Sequence, residues 1–264
     1  MIIDIHTHCF PDNVAQRAIS VRSQKFGLIP ATDGTVDGLK RSMLNSDVNI
    51  SVLQNIASKP EKNIEINRWA ASVQDDNILS FGTIHPDFPN WKEEIIWLAS
   101  HGFKGVKVHG DCQNYFVDDP YLFKIYEAIF DAGLIILFHS GVDTAFSEPF
   151  HTTPARLQKV LHTFSGSPMI AAHMGGYRYW DDVEKCLLGK NIYFDTAYSI
   201  HELGIERATD FIKAHGPEKV IFGTDSPWRD QAIDISLIKS LNLNPHEING
   251  ILGNNAKKLL QLDK

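Results

Sequence analysis

Cysteine is scarce in this chain of 264 residues, and the three that occur are far apart. They are Cys9, Cys112 and Cys186, an odd number without any Cys-x-x-Cys spacing. Small secreted proteins that depend on disulfides carry many paired cysteines. The sequence therefore excludes a disulfide framework and favours a reducing compartment.

An excess of basic residues is also missing. The 25 Lys and Arg residues are outnumbered by 32 Asp and Glu residues, which gives a formal charge of −7. Nucleic acids and anionic membranes bind basic surfaces, so we expect neither as a partner. No apolar run approaches the ~20 residues of a membrane span. These absences predict a cytoplasmic protein that acts on a small molecule.

What the chain does have is a regular alternation of apolar strands and helices. Continuous apolar runs are typical of strands that are buried on both faces of a parallel sheet. The predicted strands cover residues 2–8, 48–56, 78–85, 105–109, 134–139, 169–173, 192–196 and 219–225. Eight such strand–helix units match a single (β/α)8 TIM barrel, an α/β fold. We expect it to form one domain over residues 1–264.

The competing fold is a doubly wound open sheet. Such a sheet normally carries a glycine-rich phosphate loop after its first strand. In this chain that place holds His6-Thr7-His8-Cys9. The barrel is therefore the preferred fold.

Histidine or aspartate lies at or near the end of most of the predicted strands, and in a TIM barrel the strand ends hold the catalytic groups. The residues concerned are His6, His8, His109, His139, His173, Asp195 and Asp225. His6 and His8 alternate with apolar residues, so they project to the same side of their strand, about 7 Å apart. Burying several polar groups without partners at one barrel mouth would be costly, and a metal ion removes that cost. The pattern predicts a metal site.

Particular phrases resemble the amidohydrolase superfamily, specifically its amidohydrolase-2 branch with the aminocarboxymuconate-semialdehyde decarboxylase-like enzymes. The phrases are Ile3-Asp4-Ile5-His6-Thr7-His8, Ala172-His173-Met174-Gly175-Gly176 and Phe222-Gly223-Thr224-Asp225-Ser226-Pro227, with the closing segment Ile251-Leu252-Gly253-Asn254-Asn255-Ala256. The resemblance extends from residue 2 to residue 262 and implies a metal-dependent TIM-barrel enzyme. It also implies a homodimer, because many relatives are dimers.

The resemblance implies that His6, His8, His139 and Asp225 bind one divalent ion. Zinc is the favoured ion, manganese and iron are alternatives, and a second ion is disfavoured. Three imidazoles and a carboxylate leave a catalytic ion with an open position for water. Asp225 would then carry the proton, and His173 would face the substrate as an acid, a base or a polarising group.

Other polar residues are expected to support the ligands or contact the substrate. Asp195 is expected to accept a hydrogen bond from a metal-binding histidine. Two-metal relatives often carry a carboxylated lysine on the fourth strand. Here Lys107 either reaches the metal or, as we prefer, pairs with Asp4. His109 contacts either the substrate or the ligands.

Two loop residues complete the predicted site. Arg178 could bind an anionic substrate, and Trp228 could form a wall of the pocket. A surface position for Arg178 and simple packing for Trp228 remain equally open.

Three functions are compatible with this pattern. The preferred one is hydrolysis, in which a metal-activated water attacks a small amide, lactone or ester. The alternative is metal-dependent, non-oxidative decarboxylation of a small unsaturated or aromatic acid. The third is an inactive metal-binding barrel, which is disfavoured because Asp225 and His173 are both present. Hydrolysis is preferred because Arg17, Arg22 and Arg41, the candidate cations for a substrate carboxylate, stand in no recognisable motif.

Overall fold

A computed structural model describes residues 1–262 of the chain, and within that range it has eight β-strands in one sheet. The strands follow each other in chain order, and the pairs β1–β2, β3–β4, β4–β5, β5–β6 and β6–β7 are parallel. They are β1 (Ile3–Thr7), β2 (Ile50–Gln54), β3 (Ile78–Thr83), β4 (Gly105–Val108), β5 (Ile135–Phe138), β6 (Met169–Ala171), β7 (Tyr193–Asp195) and β8 (Val220–Ile221). This is the predicted (β/α)8 fold.

Helices separate the strands along the chain. The α-helices are α1 (Asp12–Phe26), α2 (Val36–Ser46), α3 (Asn63–Val73), α4 (Trp91–Ser100), α5 (Gly110–Gln113), α6 (Phe123–Asp131), α7 (Pro154–Thr163), α8 (Trp180–Cys186), α9 (Ile200–Leu203), α10 (Ile205–His215), α11 (Gln231–Lys239), α12 (Pro245–Asn249) and α13 (Asn255–Leu259). Thr35 caps α2, because its hydroxyl accepts a hydrogen bond from the Gly38 N–H at 2.9 Å.

The residues form two compact units, and the first consists of residues 1–53, 75–78 and 195 onward. In this unit Ile3 pairs with Ile50 and Asp4 with Ser51 in parallel register. The Ile5 N–H donates to the Phe222 carbonyl at 2.9 Å, so the segment after β8 lies beside β1. The two segments that carry His6 and Asp225 are therefore neighbours.

The second unit consists of residues 54–74 and 79–194 and includes β4, β5 and β6. Val106 pairs with Ile136, which is the register expected for adjacent parallel strands. Gly105 permits a close approach here, because a Cβ at this position would lie 2.4 Å from the Ile135 carbonyl oxygen. The strands of this unit bring the ends of β4, β5 and β6 to the same edge, where His109, His139 and His173 follow them.

Several strands end earlier than the sequence predicts. The predicted strands at 169–173 and 219–225 end at Ala171 and Ile221. His173 has φ of 60° and Asp225 has φ of 71°. A left-handed residue cannot continue a strand, and for a residue with a Cβ it is strained. The polar residues predicted to end these strands therefore lie in the loops that follow.

No described helix is long and apolar enough to span a membrane. The single domain predicted over residues 1–264 remains a prediction, and positions 263 and 264 lie outside the described residues.

Candidate metal centre

His6, His8 and Asp225 converge in the first unit. The Nε2 atom of His8 lies 3.1 Å from Asp225 Oδ1, and the Nε2 atom of His6 lies 3.6 Å from the same oxygen. The two imidazole rings have centroids 5.2 Å apart and planes inclined by 65°. Inclined rings can direct their lone pairs at one point, as ligands of a single ion must.

Asp195 fixes the orientation of the His6 ring. His6 Nδ1 lies 2.8 Å from Asp195 Oδ2, and both side chains are almost completely buried. An ionised carboxylate can only accept a hydrogen bond, so the ring proton lies on Nδ1 and the lone pair lies on Nε2. A carboxylate–histidine pair of this kind is common behind metal-binding histidines. The expected role of Asp195 agrees with this geometry.

These donor atoms fit a divalent cation. Candidate ligand atoms of His6, His8 and Asp225 all lie within 4.8 Å of one another. Two imidazole nitrogens and one carboxylate oxygen suit zinc, manganese and iron in the divalent state. The residues present therefore match the metal that the sequence implied, although other ligands are needed to complete the coordination.

Asp4 lies deeper in the same unit and is fully buried. Burial raises the pKa of its carboxyl to about 7, although its hydrogen bonds oppose the rise. It accepts hydrogen bonds from the Thr224 hydroxyl at 2.7 Å, the Gln231 amide at 2.8 Å and two backbone N–H groups. The donors described for Asp4 are uncharged groups. Lys107 is a buried residue of β4 in the second unit, and its predicted pairing with Asp4 stays a prediction.

The second unit holds another histidine cluster. His173 Nε2 lies 3.1 Å from His139 Nδ1, and the His109 ring stacks on the His139 ring at 4.1 Å with an angle of 5°. His109 Nε2 lies 3.0 Å from Asp143 Oδ2. All three histidines are buried. The cluster connects the segments that follow β4, β5 and β6.

His109 has partners at both ring nitrogens. Its Nδ1 accepts a hydrogen bond from the Cys112 N–H at 3.3 Å, so the proton lies on Nε2 and is donated to Asp143. Burial lowers the pKa of His109, which favours the neutral ring. Burial alone would raise the pKa of Asp143, but the hydrogen bond from His109 holds it below its usual value.

His109, His139 and Asp143 have ligand atoms close enough for a metal ion, yet the ring geometry opposes one. A metal ion lies near the plane of each imidazole that binds it. The planes of the His109 and His139 rings are 5° from parallel, so their nitrogen lone pairs lie in separate planes and cannot point at one ion. We therefore interpret His109 as a residue that packs against His139 and binds the loop after β5 through Asp143.

The two predicted substrate residues in loops are placed differently. Arg178 is exposed in the second unit, with its guanidinium 5.0 Å from the centre of the Tyr177 ring. Trp228 is half-buried in the first unit, and its backbone N–H donates to the Asp225 carbonyl at 3.0 Å. Trp228 thus belongs to the same turn as a candidate ligand.

Three residues of these clusters were not predicted from the sequence. Thr224 and Gln231 contact Asp4, and Asp143 contacts His109. Thr224 lies next to Asp225 in a quoted phrase, which was an available signal. Gln231 and Asp143 carry no sequence signal, because their partners are distant along the chain.

The amidohydrolase family profile matches residues 3–262, almost the whole chain. The chain belongs to the amidohydrolase family. The predicted resemblance is therefore confirmed, and this amidohydrolase is an enzyme of that superfamily. None of the curated proteins matches it.

Solved structures with the same fold include several decarboxylases. The 2,6-dihydroxybenzoate decarboxylase from Rhizobium is 16% identical, with a TM-score of 0.74 over 100% of this chain and 99% of the other. The 5-carboxyvanillate decarboxylase from Sphingomonas paucimobilis is 16% identical, with a TM-score of 0.72 over 98% of both chains.

A third structure, a dihydroxybenzoic acid decarboxylase from Polaromonas sp. JS666, holds manganese and the inhibitor 2-nitroresorcinol. It is 14% identical to this amidohydrolase, with a TM-score of 0.75 over 100% of this chain and 97% of the other. At these identities the likeness establishes the (β/α)8 fold and nothing finer.

Proposed function

We propose that this protein is a metal-dependent, non-oxidative decarboxylase of a small aromatic carboxylic acid. The observation that carries the proposal is the convergence of His6, His8 and Asp225, a ligand set suited to a divalent ion. The named relatives are decarboxylases of hydroxylated benzoic acids, and they support this alternative over the hydrolysis that the sequence favoured.

One divalent ion, zinc or manganese, is proposed at His6, His8 and Asp225, with His139 kept as a predicted further ligand. Such an ion would supply Lewis acidity and a fixed positive charge for an anionic substrate. Zinc was favoured from the sequence, whereas a relative contains manganese. A second ion remains disfavoured at His109, His139 and Asp143, because two of these residues have stacked, nearly parallel rings.

The reaction requires a proton at the ring carbon that loses the carboxylate. The bond between that carbon and the carboxyl carbon breaks, CO2 leaves, and the proton takes its place. Three aspartates of the first unit lie near the histidines, but Asp4 and Asp195 have no exposed surface, whereas the Asp225 side chain is 17% exposed. Asp225 is therefore the carboxylate that a substrate can reach, and we assign it the proton transfer.

The remaining site residues have supporting roles in the proposal. His173 stays the predicted acid, base or polarising group, and its backbone carbonyl accepts a hydrogen bond from the Trp180 indole at 3.2 Å. Arg178 is the predicted contact for a substrate anion. His109 is expected to act by packing, because both of its ring nitrogens already have partners.

One assay separates decarboxylation from hydrolysis. Protein loaded with Mn²⁺ or Zn²⁺ is incubated in parallel with 2,6-dihydroxybenzoate, 5-carboxyvanillate and a panel of lactones, esters and amides. We expect release of CO2 from an aromatic acid and no acid release from the panel. Hydrolysis without any CO2 would overturn the proposal in favour of the second candidate, a metal-dependent hydrolase.

A pair of variants tests the role of Asp225 in the same assay. Asp225→Asn should abolish turnover even where the metal concentration is high enough that much of the metal remains bound, because an amide cannot carry the proton. Asp210→Asn makes the same chemical change at an exposed position of α10 and should retain full activity. Full activity of Asp225→Asn would remove this residue from the mechanism.

A homodimer and a cytoplasmic location also remain proposals. The first rests on the family resemblance, and the second rests on composition. Light scattering and cell fractionation would test them.

A further inference from the structure

The Asp4 carboxylate receives four hydrogen bonds although it has no exposed surface. Oδ1 accepts from the backbone N–H groups of His6 at 3.2 Å and Thr224 at 3.0 Å. Oδ2 accepts from the Thr224 hydroxyl at 2.7 Å and the Gln231 amide at 2.8 Å. Two of the four bonds come from Thr224, the residue that precedes the candidate ligand Asp225.

Thr224 connects Asp4 with the turn that contains Asp225. While its own hydroxyl donates to Asp4, the same oxygen accepts a hydrogen bond from the Ser226 N–H at 3.0 Å. The residues on both sides of Asp225 are thus fixed through one hydroxyl group. Thr224 is also fully buried, so water does not compete for these bonds.

Asp225 needs this restraint because its backbone is strained. Its φ of 71° is in the left-handed region, which costs free energy for any residue with a Cβ. Its N–H donates to the His6 carbonyl at 2.8 Å, and the His8 N–H donates to the Ser226 carbonyl at 2.6 Å. In this conformation Asp225 Oδ1 lies 3.1 Å from His8 Nε2.

Gln231 anchors the network to a helix. It is the first residue of α11, it is fully buried, and its amide nitrogen also lies 3.2 Å from the Ser51 hydroxyl on β2. The Asp4 carboxylate is therefore held from its own strand, from the turn after β8 and from α11. A group bound from three sides is suited to fixing the position of its neighbours.

We propose that Asp4 is a positioning residue that acts through Thr224 to hold Asp225 in the strained conformation needed for metal binding. Without the Thr224 hydroxyl, Asp225 relaxes towards ordinary backbone angles and its carboxylate moves away from the two histidines. The inference rests on the proposed function, because it takes Asp225 as a ligand of the ion. It goes further because it attributes the position of Asp225 to the buried hydrogen bond between Thr224 and Asp4, two residues that are 220 positions apart in the chain.

The test measures metal affinity in the absence of substrate. Full-length wild type, Thr224→Val and Thr224→Ser are titrated with Mn²⁺ and with Zn²⁺ in competition with a chromophoric chelator. Val keeps the shape of Thr but lacks the hydroxyl, whereas Ser keeps the hydroxyl. We expect Thr224→Val to bind each ion about 10- to 100-fold more weakly and Thr224→Ser to remain within about threefold of wild type.

Ser51→Ala is the matched control, because it removes a buried hydroxyl that contacts Gln231 but not Asp4. Its metal affinity should equal that of wild type. Circular dichroism and thermal unfolding without metal establish that each variant is folded. If Thr224→Val does not fold, the Asp4→Asn variant is titrated in its place. One amide oxygen cannot accept the hydrogen bonds that both carboxylate oxygens accept, so a loss of metal affinity of about 10-fold is again expected.

Equal metal affinity of wild type, the Thr224→Val variant and the Asp4→Asn variant would overturn the inference and leave the proposed function intact. Wild type that binds neither ion would overturn both. Wild type that binds metal without releasing CO2 would overturn only the substrate class, and the loss of affinity in Thr224→Val would still support the positioning role.

Discussion

The orientation of the His6 imidazole depends on one buried carboxylate. Asp195 accepts from His6 Nδ1 with one oxygen and from the Ala197 N–H with the other at 3.1 Å. Both acceptors are in use, so the side chain cannot change its direction without losing a hydrogen bond. This single residue selects the tautomer that leaves the His6 Nε2 lone pair available to an ion.

Replacing Asp195 by Asn should weaken metal binding. An amide has one acceptor oxygen, so its NH2 group must face either the His6 ring proton or the Ala197 N–H. We expect metal affinity to fall about 10- to 100-fold in a chelator competition titration. Asp210→Asn, which changes an exposed carboxylate, should bind like wild type. Unchanged affinity of Asp195→Asn would show that the tautomer is set in another way.

At the scale of elements, the sequence predicted that the eight strands exist, but several of them end earlier than it predicted. Apolar runs such as Ile135–Phe138 carry their own signal, because a strand buried on both faces must be apolar along its length. The ends depend on backbone conformation. Histidine and aspartate adopt a left-handed φ more often than most residues with a Cβ, but the residue type alone does not identify such a position, so the predicted strands extended through His173 and Asp225.

The helix after β1 shows the same limit. Helix α1 covers Asp12–Phe26. Pro11 precedes the helix and Gly27 ends it with φ of 67°. Both positions are favourable boundary signals, since proline suits a helix start and glycine adopts the left-handed cap without a Cβ clash. Proline and glycine also occur in loops, so Pro11 and Gly27 identify the ends of α1 only when the helix between them is known.

Helix α7 forms ion pairs with Asp118, which lies in the segment between α5 and α6, and these pairs give a pH dependence. Asp118 is bonded to Arg156 and, at 2.8 Å, to Lys159. Burial opposes ionisation, but the bonds to the two cations hold the pKa of Asp118 below its usual value. The folded protein thus binds this proton less readily than the unfolded chain. The stability is present above the unfolded pKa of about 3.9 and is lost as the pH falls below it.

Asp118→Asn should therefore lower the free energy of unfolding by about 2 kcal/mol at pH 7, as expected for hydrogen bonds to charged groups. The difference from wild type should shrink as the pH falls from 5 to 3. Urea unfolding of metal-free protein at several pH values measures it. Asp131→Asn, an exposed change on α6, serves as the control and should match wild type. A difference that is constant across this range would contradict the ion-pair explanation.

For the whole molecule, the sequence predicted the candidate ligands but not the residues that hold them in place. His6 and His8 stand two residues apart, and Asp225 lies in a recognisable phrase, so the candidate site could be predicted without a structure. Asp4 was expected to pair with Lys107, because both residues alternate correctly on their strands. The side-chain donors described for Asp4 are those of Thr224 and Gln231, which are 220 and 227 residues away in the chain. Such contacts are determined only by the completed fold.

Removal of the metal should lower the stability of the whole chain, because an ion that binds only the folded state stabilises it by mass action. At an ion concentration of about 100 Kd the gain is about 2.7 kcal/mol. For a protein of this size that corresponds to a rise of about 5–10 °C in Tm. Thermal unfolding with excess EDTA and with Mn²⁺ or Zn²⁺ measures the shift. His8→Ala should abolish the shift, because the variant lacks one of the three candidate ligands. An equal shift in wild type and His8→Ala would mean that the stabilising ion binds elsewhere.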